Sequence, residues 1–335
     1  MQNKYLLIAD AHIHHEPQWR FDWLAKELAQ LYDEYAHTHQ LMLLGDVFEV
    51  RDRIDARAAN LFLDTVIEWQ KKNRVIWITG QHDSYVPGRA TFEGLRGLRD
   101  GVRGVLVADK PLWYTVEPGV VAVPYCRDMA QYRTLLKNAQ RGGAHTLFTH
   151  MPIKEAVPNG PDDMVCADDF NAFSQVISGD IHKQSAFGRL IYVGVLAPRD
   201  FRDEGAHGAY ATLEDGNLRL YASGAPEFWT MTSRDDLRAY MLATEARWGV
   251  IRIKDFEVSD QELVALRSHP SVIDVVYLPA TVTETLSENL KHAATPDQII
   301  SEFLDTVDVD LDKKFLREFA LTIYKTITNG RGETK

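Results

Sequence analysis

The stretch LLIADAHIHH, residues 6–15, sets an apolar run directly against one aspartate and three histidines. Four later runs end in the same way: Asp46 in LLGDVFE, Gln81 and His82 in TGQHD, His150 in FTHMP, and Asp180 with His182 in SGDIH. An aspartate or histidine after a strand commonly caps a helix or braces a turn, so one such case says little. Five together, several following a glycine that lets the chain turn sharply, describe donors delivered to one place. Mixed oxygen and imidazole donors without thiolate suit Mn, Fe or Zn better than Ca or Mg. Seven ligand groups are too many for one ion. A carboxylate such as Asp46 can bridge two cations about 3.5–4 Å apart, and such pairs activate water and stabilise in-line displacement at phosphorus. The chemistry indicated is phosphoester hydrolysis.

Positioning these residues requires strands whose ends converge. YLLIAD, LMLLGD, RVIWITG, HTLFTH and QVISGD have the length and the branched, aromatic content of buried strands. Between the first three lie helical patterns, one with Leu24, Leu28 and Leu31 on a face, the other with Leu61, Leu63, Val66 and Trp69. Strand, helix, strand, helix, strand is the order of a mainly parallel sheet, which collects ligands at the carboxyl ends of its strands. LWYTV, GVVAVPY, RLIYVG, GAYATLEDG and NLRLYASG, separated by turn residues, read as antiparallel strands of a second sheet. The expected fold class is α/β: a two-sheet sandwich flanked by helices over residues 1–225, with a small α/β capping domain over 226–280. A polar linker at 281–294 and C-terminal helices within 295–335 follow, the first opened by the capping sequence TPDQ. The last helix carries Phe315, Leu316, Phe319, Ile323 and Ile327 on one stripe, either core packing or a docking face for a partner helix.

Composition narrows the setting. Among 335 residues, 48 acidic against 37 basic give a net charge of −11, which opposes generic charge-driven binding to nucleic acid while leaving room for a local basic groove. Apolar residues at 45% and charged residues at 25% describe an ordered globular chain. Cys126 and Cys166 lie far apart without zinc or disulfide spacing, and no apolar run approaches a membrane span. A cytoplasmic protein without a membrane partner is expected.

The series DxH, GD, GxHD, H and GxxH over residues 10–182 resembles the calcineurin-like metallophosphoesterase superfamily, in that family's order. GDVFEVRDR, YVGVLAPRDF and the small α/β unit with C-terminal helices are most similar to the DNA double-strand-break-repair nuclease subunit of the SbcD type. The resemblance implies two divalent metal ions, Mn2+ first, with Mg2+, Fe2+ or Zn2+ as alternatives. It assigns Asp10, His12, Asp46 and His182 to one ion and Asp46, Gln81, His150 and Asp180 to the other. By the same resemblance His82 is the catalytic histidine, protonating the leaving oxygen or stabilising the transition state, and Asp83 orients its imidazole. It also implies exonuclease action on duplex ends and endonuclease action on single strands. The partner would be an SMC-like SbcC-type ATPase docked on the C-terminal helices, and helices within 55–100 would support a homodimer. The compact chain and its GDIH block suit a bacteriophage-encoded recombination subunit acting in the host-cell cytoplasm.

Two positions depart from the family. It has asparagine where this chain has Gln81 and histidine where it has Asp180, so the second ion site becomes richer in oxygen. Arg51, Arg53, Arg127, Lys154 and Lys183 flank the motif loops and are candidates for DNA phosphates, against the ordinary reading of solvated charge. His14 and His15 are expected outside direct ligation, and His145 is expected to pack or hydrogen-bond. Glu49 either orients the neighbouring site or pairs with the arginines beside it. Two rival functions remain: a small-substrate phosphoesterase of the same superfamily, and a nuclease-derived DNA-binding scaffold whose second ion site has decayed.

Overall fold

The structure is a computed structural model that describes residues 3–49, 55–83, 105–157, 159–242 and 248–278. The chain divides into two compact units, Met1–Phe228 and Trp229–Lys335.

The first unit is an α/β sandwich of two six-stranded mixed sheets. In the first sheet β1 (Tyr5–Ile8), β2 (Gln40–Leu44), β3 (Val75–Ile78) and β4 (Val105–Ala108) run parallel in that order. The second holds β5 (Tyr114–Glu117), β6 (Val120–Val123), β7 (Thr146–His150), β8 (Gln175–Gly179), β9 (Ser185–Phe187) and β10 (Leu190–Tyr192) in the order β5-β6-β7-β8-β10-β9. β11 (Ala209–Glu214) lies antiparallel on β1 and β12 (Asn217–Ala222) antiparallel on β11, which extends the first sheet.

The period of two decides what each strand side chain faces. Tyr5, Leu7, Met42, Leu44, Ile76 and Ile78 meet Val120, Ala122, Phe148 and Ile177 between the sheets. The alternate residues Leu6, Ile8, Leu41, Leu43, Val75 and Trp77 face α1 (Gln18–Tyr35) and α2 (Ala56–Gln70). On the far side Val121, Val123, Leu147 and Val176 pack with α3 (Met129–Arg141). Helix, sheet, sheet and helix therefore form four layers, and strands covered on both faces read as continuous apolar runs.

Three local expectations change. β7 and β8 belong to the second sheet, so the candidate ligands come from both sheets and not from one. β6 and β10 run parallel to their neighbours β7 and β8, while β11 and β12 return to the first sheet. The physical reason is cover: all four residues of β6 are buried and need an interior position, whereas half-exposed β12 tolerates an edge. On α2 the buried stripe is Ala58, Phe62, Val66 and Trp69, with Leu61 and Leu63 only partly buried beside it.

In the second unit β14 (Gly249–Lys254) and β15 (Val272–Leu278) are parallel and joined through α5 (Asp260–Arg267), which Ser259 and Glu262 cap reciprocally. β13 (Glu227–Met231) completes the three-stranded sheet, and α4 (Arg234–Leu242) follows it. The linker, the C-terminal helices, Arg51 and Arg53 lie outside the described residues, as does most of 55–100 beyond α2. No helix among the described residues is long and apolar enough to cross a membrane.

Candidate metal centre

The carboxyl ends of β1, β2, β3, β7 and β8 face one another across the sandwich, and the backbone at these ends is unusual. Asp10, His12, Asp46 and Asp180 have φ of 50°, 43°, 48° and 86°, in the left-handed region that non-glycine residues rarely occupy. Such strain persists where the surroundings over-determine it, and it concentrates at functional sites. The local ties are visible. Asp10 N donates to Gly45 O at 3.1 Å, and His12 N to Asp46 O at 3.0 Å. The Asp10 carboxylate accepts from Asp180 N at 3.0 and 3.1 Å, joining the two sheets through a candidate ligand.

Two groups of donors result, Asp10 with His12 and His182, and Asp10 with Asp46 and His150; within each the ligand atoms lie within 4.8 Å of one another. Asp46 also faces both, its Oδ2 lying 3.4 Å from His150 Nε2 and 4.0 Å from His12 Nε2. Asp180 Oδ1 lies 3.6 Å from His150 Nε2, and the Gln81 side chain hydrogen-bonds Asp180. All seven residues that the sequence nominated thus meet around one point.

The histidines show which ring nitrogen is free. His150 Nδ1 donates to Leu44 O at 2.7 Å, leaving Nε2 buried with no hydrogen-bond partner among the described residues. His182 Nδ1 meets Asp203 Oδ1 at 2.6 Å, and His12 Nδ1 meets Glu49 Oε2 at 2.9 Å. With hydrogens on both Nδ1 atoms, the Nε2 lone pairs of His12 and His182 face each other at 3.3 Å. Facing lone pairs beside carboxylates require a proton or a cation between them. This donor set, with one nitrogen held by an outer partner and the other free, fits a divalent cation.

Without a cation, protons are drawn in. Burial, foremost, pushes Asp10 up to about 7, with Asp46 and Asp180 adding to the rise, and burial likewise raises Asp180. Burial acts to raise Asp46 too, yet His150, His12 and His82 outweigh it and hold that carboxylate below its ordinary range. Burial opposes a charged His150, but Asp46 first and then Asp10 hold it well above the usual imidazole range. His12 is driven well below that range by burial.

His82 stands in the wall of an open cleft of about 580 Å³, together with His12, Asp46, Gln81, Asp180 and His182. Its backbone N donates to Asp46 Oδ1 at 2.7 Å, and its Nδ1 meets Glu49 O at 2.7 Å, so Nε2 is turned to the cleft. Asp83 does not orient that ring. It is fully buried, and its carboxylate accepts from Val47 N at 2.9 Å, Phe48 N at 3.2 Å and Gly80 N at 3.0 Å. It braces the two ligand loops, because a buried chain turn must satisfy its N–H groups and a carboxylate offers several lone pairs.

Of the basic candidates, Lys183 lines the cleft. Lys154 is paired with Asp162 at 2.9 Å, and Arg127 is exposed outside the cleft lining. His14 and His15 lie side by side in neither donor group, His14 hydrogen-bonding Glu16 and His15 near Asp55, and His145 meets Thr146 Oγ1 at 3.1 Å. Sequence reasoning missed Asp203 and Arg199, both reached only through the fold. The arginine and aspartate in PRDFRDE, just after β10, were the only trace.

No protein-family model matches the sequence, and no curated protein matches it. Among solved structures, a cold-active protein-tyrosine phosphatase of a psychrophilic Shewanella species is similar over 67% of this chain and 78% of that one, with 10% identity and a TM-score of 0.34. A likeness at that level carries no argument about activity.

Proposed function

We propose that the chain is a two-metal-dependent phosphodiesterase acting on DNA, working in recombination or break repair with an SMC-like ATPase. The observation that carries the hydrolytic reading is the pair of overlapping donor groups sharing Asp10, with the unpartnered Nε2 of His150 aimed into them. Asp10, His12, Asp46 and His182 would hold one ion, and Asp46, Gln81, His150 and Asp180 the other. Bound there, the cations supply Lewis acidity toward a phosphoryl oxygen and a lowered pKa for water. His82 then has the role of the proton carrier. Its Nδ1 hydrogen is committed to Glu49 O, and its Nε2 can hold the proton that the departing oxygen takes.

The choice of DNA draws on the resemblance of the sequence blocks and is supported by an open cleft with Lys183 at its wall. The chain's acidic balance is compatible with this, since the ions bring positive charge to the reacting phosphate and a partner can supply further grip.

The test is Mn2+-dependent cleavage of end-labelled duplex and single-stranded DNA, run beside p-nitrophenyl phosphate and bis(p-nitrophenyl) phosphate. DNA and the diester should be cleaved, and His82→Ala should lower the rate roughly 10²–10⁴-fold. Turnover of the monoester alone would replace the nuclease with a small-substrate phosphatase. Silence on every substrate, with at most one bound ion and no rescue by an ATPase partner, would leave a scaffold.

A further inference from the structure

We propose that Arg199 is a positioning residue for the imidazole-rich half of the centre: it clasps the two carboxylates that aim His12 and His182. The inference rests on the metal reading above. Arg199 Nη1 donates to Glu49 Oε2 at 2.9 Å, and the same oxygen lies 2.9 Å from His12 Nδ1. On its other side Arg199 gives its backbone N at 2.8 Å and its Nε at 3.4 Å to Asp203 Oδ2. The second oxygen of Asp203 accepts from His182 Nδ1 at 2.6 Å. One guanidinium therefore ties together the outer partners of two ligands that are 170 residues apart in sequence.

Three features set this bridge apart from a surface ion pair. Arg199 and Asp203 side chains are 15% and 4% exposed, so solvent screens their interaction weakly. Each of the two carboxylates serves the guanidinium with one oxygen while meeting the Nδ1 of a candidate ligand, Glu49 at His12 and Asp203 at His182, so the three groups form one continuous hydrogen-bonded chain. The loop carrying Arg199 is itself fixed by fully buried Arg20, which donates to Ala11 O, His12 O, Ala197 O and Pro198 O at 2.8–3.1 Å. The backbone of the His12 turn and that of the Arg199 loop are thus held in one register. Glu49 extends the effect, because its carbonyl accepts from His82 Nδ1. A planar fork that serves two acceptors is a property of arginine that a lysine ammonium reproduces only in part.

The experiment uses the full chain freed of metal with chelator, then titrated with Mn2+ by calorimetry and with Co2+ by visible absorption. The unaltered chain should take two ions. Arg199→Gln should weaken one of them by roughly 10–100-fold and alter the cobalt spectrum, leaving the other ion's affinity unchanged. Glu49→Gln should shift the same ion in the same direction, and Arg199→Lys should recover part of the loss. Should Arg199→Gln fail to fold, Glu49→Gln decides by itself. Two ions bound with unaltered affinities in both glutamine variants would overturn the proposal. Equal weakening of both ions together with a lowered melting temperature would overturn it too, by making Arg199 a general fold element. An unaltered chain that binds no ion would overturn the metal reading itself, an outcome separate from either of these.

Discussion

Asp180 sits at φ 86°, and burial foremost, with Asp46 nearby, penalises its charged carboxylate by more than His150 and Gln81 relieve it. A residue that costs the metal-free fold is explained if its oxygen serves a cation. Asp180→Gly should therefore raise the stability of the metal-free protein by about 1 kcal/mol, the strain relieved less the chain entropy that glycine adds. The same change should weaken the ion shared with His150, read by Mn2+ titration. A variant less stable without metal and equally tight for both ions would show that the aspartate serves the backbone. At this scale the sequence was most legible where chemistry is local: Asp10, His12, Asp46, Gln81, His150, Asp180 and His182 announce themselves by type and by their place after apolar runs. It was least legible where a partner is remote. Asp83 adjoins His82 in sequence yet serves Gly80, Val47 and Phe48, while Asp203 and Arg199 gain their roles from contacts that no local pattern records.

At the scale of elements, the strand ends must come close enough for donors from two sheets to meet. Gly179 ends β8, and a Cβ added there would lie 2.4 Å from Leu44 O and 2.9 Å from Asp10 Oδ2. One at Gly80 would lie 2.1 Å from Asp46 Oδ1. Gly179→Ala pushes against backbone that cannot rotate away, so it should destabilise by about 1–3 kcal/mol, the usual cost of overpacking. Urea unfolding should show a lower midpoint with an unchanged slope, and Mn2+ affinity should fall because Asp10 is displaced. An unchanged midpoint would mean that the two sheets have slack at this edge. The helices and most strands could be read from apolar spacing, since α1 buries Leu24, Leu28 and Leu31 as its stripe requires. Sheet membership could not. An apolar run states that a strand is covered on both faces and leaves open which neighbours cover it, so β7 and β8 could be assigned to a sheet only by pairing over long separations.

Across the whole molecule, the candidate centre should make stability depend jointly on pH and on cations. In the metal-free chain Asp10 is raised from 3.8 to about 7 and Asp83 from 3.8 to about 6, burial being the largest cause for each. Between those limits the folded state holds more protons than the unfolded one, so stability falls as pH rises through the window. His150 and His182 are raised as well; what they contribute is present below 6.5 and is lost as pH climbs through their folded values. His12, lowered by burial, works in the opposite direction up to 6.5, and Asp46, lowered, loses its contribution only in acid below 3.8. With Asp180, raised likewise by burial, five groups against one predict that the melting temperature in chelator declines from pH 5 to pH 8. Cations reverse the sign, because each takes the place of protons and binds more tightly as the ligands lose them. At free Mn2+ a hundredfold above its dissociation constant, one ion adds about 2.7 kcal/mol. The gap between melting curves in Mn2+ and in chelator should thus widen from pH 5 to pH 8, and taking the gap cancels every titrating group remote from the centre. A gap that is absent or constant over this range would mean that protons and cations do not compete for these ligands, and the donor groups would then be a hydrogen-bonded core and not a metal centre.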